Sequence, residues 1–143
     1  ASSLIGFLAA VQPGDYVALL PYLPATPQHE AAMATLATRV RLWVRTPVTV
    51  NMGPRYLHST GQLHKGGPVT GVFVIITASA DSDVAIPGEA FGFGQLNLAQ
   101  AQGDYRVLAG LDRRVIRVHL SCPTDIGLEK LSACLETDAM ASG

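Results

Sequence analysis

Between Gly53 and Pro68 the sequence reads GPRYLHSTGQLHKGGP, which holds two of the four histidines and one of the two lysines in the chain. The Gly53-Pro54 pair at its start and Gly66-Gly67-Pro68 at its end predict a helix over Arg55 to Lys65. At about 100° per residue, Arg55, His58, Gln62 and Lys65 fall within an arc of roughly 80°. Tyr56, Leu57, Thr60, Leu63 and His64 fall on the other side. A stripe of two cations, an imidazole and an amide, with no acid among them, suits a phosphorylated sugar. Arginine grips phosphate as a fork, lysine acts as a point charge, and glutamine and histidine meet hydroxyls. The competing reading is a solvated helix face, although such faces normally mix glutamate with lysine.

The elements that must position this stripe can be read from the period of the apolar residues. GDYVALLPYL follows a Pro13-Gly14 turn as an apolar run suited to a strand buried on both faces. In TPQHEAAMATLATRVRLWV the period changes: Met33, Leu36, Val40, Trp43 and Val44 recur at three and four, with Thr26 as N-cap and Pro27 at the first helical position. TPVTVNMG reads as a short strand, and TGVFVIITA is the most strand-like segment of the chain. DSDVAIPGEAFGFG, broken by Pro87, Gly88, Gly92 and Gly94, reads as a loop. A helix is expected from Gln95 to a break at Gly103-Asp104, with Asp104 capping a second one through Tyr105, Leu108 and Leu111. RRVIRVHL is then a strand, and TDIGLEKLSACL a last helix with Leu128, Leu131 and Leu135 on one side. Strands alternating with helices predict an α/β domain of three αβα layers around a mainly parallel sheet. Residues 1 to 10 and 138 to 143 read as looser ends.

The chain has 143 residues, enough for one core, with 48% apolar and 15% charged residues. A formal charge of −1, with no basic run longer than Arg113-Arg114, argues against nucleic acid or an acidic membrane as partner. No apolar run approaches the roughly 20 residues that span a bilayer, and the start lacks the basic flank of a secretory signal. The expected compartment is the cytoplasm. Cys122 and Cys134 do not match a zinc pair or a disulfide framework, and both are expected to be reduced and buried.

Other motifs are weaker. GFGQLN begins like a dinucleotide fingerprint but lacks the third glycine and follows a loop. His64 and His119 read as packed structural residues, and His29 as exposed in a first helical turn. HExxH, GxSxG and the phosphate loop are all absent from the sequence.

In order, GDYVALLPYLP, GPRYLHSTGQLHKGGP, GVFVIIT, IPGEAFGFGQLNLAQAQGD and RRVIRVHL resemble the carboxyl-terminal portion of glucose-6-phosphate isomerase, as it occurs in bifunctional transaldolase/glucose-6-phosphate isomerase proteins. The resemblance runs from about Gln12 to Leu135, and LHSTGQLHKGGP is its most specific block. It implies a sugar-isomerase-like domain and the interconversion of glucose 6-phosphate and fructose 6-phosphate, a glycolytic reaction, through an enediol and without metal or organic cofactor. It also implies Lys65 as a catalytic, enediolate-facing lysine and His58 as the ring-opening histidine, while Arg55 and Gln62 enter as substrate-binding residues through the stripe. Glu89, in the IPG segment, is expected to be solvated and not the carbon base. Such an isomerase needs a second sugar-isomerase domain, in the same or another chain. Residues 1–143 are therefore expected to be one domain of a longer protein, incomplete alone. The alternative is a non-catalytic domain of the same fold that binds phosphosugars or serves assembly.

Overall fold

Every residue from Gly71 to Thr77 is buried, as a strand covered on both faces must be, and the rest of the structure is arranged around this segment. The structure, a computed structural model, describes residues 2–53, 66–79, 85–121 and 123–141. Its elements are α1 (Ser2–Leu8), β1 (Tyr16–Tyr22), α2 (Pro27–Val44), β2 (Val48–Val50), β3 (Gly71–Ala78), α3 (Phe93–Gly110), β4 (Arg114–Leu120) and α4 (Thr124–Ala141). The strands form one sheet in the order β2-β1-β3-β4, and every pairing is parallel. Pro21 is tolerated inside the inner strand β1 because the register with β2 ends at Leu19 and Val50. Its missing donor faces the β2 side just past Val50, where the chain bonds only the Pro21 carbonyl, through the Gly53 N–H.

Alternation along the strands divides the core into two layers. Val17, Leu19, Val72, Val74 and Ile76 pack against Leu4 and Leu8 of α1, Met33, Leu36 and Val40 of α2, and Leu128, Leu131 and Leu135 of α4. On the opposite face Ala18, Leu20, Tyr22, Phe73 and Ile75 pack against Ala101 and Leu108 of α3. The domain is therefore a three-layer αβα sandwich with an all-parallel sheet, as the alternation of strands and helices predicts. The period-based reading of α2 is also matched: Thr26 caps it by accepting from the His29 N–H at 3.1 Å, with Pro27 in the first turn. Two polar contacts tie α2 to α4. Trp43 Nε1 donates to Asp138 Oδ2 at 3.0 Å, and Arg39 Nη1 reaches Glu136 Oε2 at 2.6 Å and the Ser132 carbonyl at 3.0 Å.

Three local expectations need correction. Gly103-Asp104 does not break a helix, because α3 runs uninterrupted from Phe93 to Gly110. Gly103 faces open space, and the Asp104 carboxylate, instead of capping, is buried and accepts from the Tyr22 hydroxyl. The ends are also more ordered than expected: Leu4 and Leu8 insert into the core, and α4 continues to Ala141, with Asp138 held by Trp43. Cys134 is a free thiol but half-buried, since it lies beside, not within, the buried stripe of Leu128, Leu131 and Leu135. Cys122 lies outside the described residues. Among the described residues no helix is long and apolar enough to cross a membrane.

Candidate functional site

In the order β2-β1-β3-β4 the chain leaves β1 towards one face through α2 and leaves β3 towards the other through α3. The connections diverge between the carboxyl ends of β1 and β3, and open α/β sheets bind ligands in the crevice such a divergence creates. Tyr22 closes β1 at this edge, with its ring 3% exposed and its hydroxyl donating to Asp104 of α3. Gly53 follows β2 at the same edge, where its N–H donates to the Pro21 carbonyl at 2.9 Å. A Cβ on Gly53 would come within 2.8 Å of Tyr22 Cζ, so only glycine lets the chain pass this close to the ring.

Arg55, His58, Gln62 and Lys65 lie outside the described residues, as do His64 and the helix expected over Arg55 to Lys65. The anchors on either side are described. Gly53 holds the carboxyl edge, and Gly67 holds the amino edge, where its carbonyl accepts from Arg113 Nη2 at 2.7 Å. The connection that carries the four residues therefore leaves from one edge of the sheet and returns at the other.

Further along the carboxyl edge, β4 turns Arg117 and His119 towards the α3 side, because residues two apart on a strand share a face. His119 is exposed yet held at both ring nitrogens. Thr77 Oγ1 is hydrogen-bonded to Nδ1 at 2.8 Å and Ser79 Oγ to Nε2 at 3.0 Å. Hydroxyls can donate or accept, so this pair orients the ring in either tautomer. Arg117 and His119 border an open cleft of about 750 Å³, walled by Phe91, Gln95, Leu98 and Gln102. Ligand pockets commonly have this size and this mix of apolar lining with a few polar groups. From the sequence His119 is expected to be structural, and Arg117 does not stand out. The signal present is the Arg-x-His alternation in RRVIRVHL, but its exposure requires knowing that β4 is the edge strand.

The remaining candidates have structural settings. His29 Nδ1 donates to the Pro24 carbonyl at 2.8 Å. Glu89 is exposed in its loop, as expected for a solvated acid. The glycines of GFGQLN open α3, where the Gly92 N–H donates to Gln95 Oε1 at 3.3 Å. Arg114 grips Asp15 at 2.7 and 2.8 Å on the amino edge, away from the crevice. Hydrogen bonding from the Arg114 guanidinium holds the Asp15 carboxyl below its ordinary range. Among the described residues no cluster of histidine, cysteine or acid could hold a metal ion.

No protein-family model and no curated protein matches the chain. Among solved structures, a hypothetical protein from Thermus thermophilus superposes with a TM-score of 0.70 over 95% of this chain, at 19% identity. The likeness is one of fold. The chain spans 37% of the length of that protein.

Proposed function

We propose that the chain is a domain contributing to the aldose-ketose isomerisation of glucose 6-phosphate and fructose 6-phosphate, incomplete alone. The reading comes from the LHSTGQLHKGGP block. The structural observation that supports it is the seat of Gly53, which starts residues 54–65 from the carboxyl edge of an all-parallel sheet, the edge where such folds bind ligands.

The chemistry assigns each residue a task. Arg55 forks the phosphate and Gln62 bonds sugar hydroxyls. His58 moves the proton between the anomeric hydroxyl and the ring oxygen, which opens the ring. Lys65 stabilises the enediolate oxygen formed when a base removes the proton from the carbon beside the carbonyl. That base belongs to the second sugar-isomerase domain. The same proton, returned to the neighbouring carbon as the hydroxyl proton passes from one enediol oxygen to the other, completes the isomerisation without oxidant or reductant.

The test compares Lys65→Ala with Lys130→Ala in the full-length parent protein, since Lys130 is an exposed residue of α4. Loss of an oxyanion-type donor costs about 2.7–4 kcal/mol, or roughly 10²–10³ in turnover, so Lys65→Ala falls by that factor while Lys130→Ala keeps full turnover. Equal turnover in the two variants refutes the role of Lys65. The alternative is a non-catalytic domain of the same fold that binds phosphosugars or serves assembly. Under that alternative, sugar phosphate still binds and neither variant changes turnover.

A further inference from the structure

The cleft beside β4 does not stop at Gln102 and Arg117. Those two residues also wall a smaller hollow of about 360 Å³, completed by Tyr105, Arg106 and Ile116. Together the two hollows form a groove along the edge of the sheet, with Arg117 at the junction. Among the described residues two arginines line it and no acid does. Among the same residues Arg117 has no hydrogen-bond or ion-pair partner, and neither has Arg106. A guanidinium with five donors and no acceptor opposite it is an open fork for an oxyanion. The larger hollow adds an apolar wall from Phe91, Leu96, Leu98 and Ala99. Phe91 remains 41% exposed and Leu98 38%, so this wall has area left for a ligand to cover.

We infer that the groove between α3 and β4 binds a small molecule that carries an oxyanion, phosphate or carboxylate, on a ring or short hydrocarbon. Arg117 takes the oxyanion from the floor and Arg106 approaches it from the helix. The Gln102 amide donates between them, and the ring lies against Phe91 and Leu98. His119, oriented by Thr77 and Ser79, closes the carboxyl end of the groove. Anion and apolar wall act together, so a ligand with both parts binds more tightly than one with either alone.

Calorimetric titration of the chain with phenyl phosphate, benzoate, inorganic phosphate and phenol tests this directly. Phenyl phosphate and benzoate bind, their ratio showing whether the site favours phosphate or carboxylate. Inorganic phosphate binds more weakly, and phenol is weaker than phenyl phosphate by about tenfold or more, as expected for loss of a charge-assisted pair. Arg117→Ala loses a similar factor, Arg117→Lys recovers part of it, and Arg106→Ala falls between wild type and Arg117→Ala. Both arginines are exposed, and unchanged melting curves confirm that the variants fold.

Phenol binding as tightly as phenyl phosphate overturns the inference, as does wild-type affinity in Arg117→Ala or no binding of any probe. So does a loss of phenyl phosphate binding that follows Lys65→Ala and spares Arg117→Ala. The probes contain no sugar, so their failure leaves the isomerase proposal standing. Failure of the Lys65 turnover test leaves the groove untouched.

Discussion

Asp15→Asn tests how the amino edge of the sheet is closed. Asp15 precedes β1 and Arg114 opens β4, with β3 lying between them, so their contact is a clasp across the central strand. The carboxylate accepts from Arg114 Nη1 and Nη2 at 2.7 and 2.8 Å and from the Gln12 N–H at 2.8 Å. Asp15 is nearly buried, whereas 34% of the Arg114 side chain remains exposed, so solvent screens part of the attraction. Hydrogen bonds to charged groups contribute about 1.5–3 kcal/mol. With screening and one bond kept by the amide oxygen, the substitution costs about 2 kcal/mol. For a domain of this size that lowers Tm by about 8 °C. The pH dependence has a definite sign. The folded pKa of Asp15 lies below the ordinary value of 3.8, chiefly through its hydrogen bond to Arg114. The stabilisation is therefore complete above the ordinary value and disappears as pH falls through the folded one. Melting curves followed by circular dichroism show the full gap between wild type and Asp15→Asn at neutral pH. The gap narrows below about pH 4. A gap that persists undiminished in acid, or none at neutral pH, refutes the clasp.

Gly103→Ala stabilises the protein by about 0.5–1 kcal/mol, because Gly103 lies inside α3 with nothing near its missing Cβ; chemical denaturation showing a loss would contradict the continuous helix. Gly53→Ala destabilises by about 1–3 kcal/mol, since the new methyl strikes a Tyr22 ring that is buried and bonded to Asp104. The same denaturation measurement checks it, and an unchanged midpoint would show that the chain can pass Tyr22 with room to spare. In the isolated chain, glucose-6-phosphate isomerase activity is expected to be negligible, and robust turnover in a coupled assay would contradict the need for a second domain.

The secondary structure was legible where local chemistry and burial agree. Thr26, Pro27 and the spacing of Met33, Leu36 and Val40 identified α2, and the unbroken apolar run of β3 announced a strand covered on both sides. Gly103-Asp104 misled because a glycine followed by an aspartate has the local form of a stop and a cap. What overrides that form is Tyr22, 82 positions away in sequence, whose hydroxyl engages the carboxylate. Helix α1 was missed for a related reason. Its seven residues are too few to be stable alone, and it is held by burying Leu4 and Leu8 in the core.

The sequence by itself determined the layers of the domain, because the unbroken apolar runs of its strands and the period of three to four in its helices are properties of each segment alone. It also marked Arg55, His58, Gln62 and Lys65 as a chemical stripe, and their convergence is a question for the Lys65 experiment. Only the tertiary structure decided that β4 is the edge of the sheet and that Arg117 and Arg106 line one hollow. Strand order and the distance between a helix and a strand arise from contacts between residues far apart in the chain. No local pattern in RRVIRVHL encodes which of its faces is left uncovered.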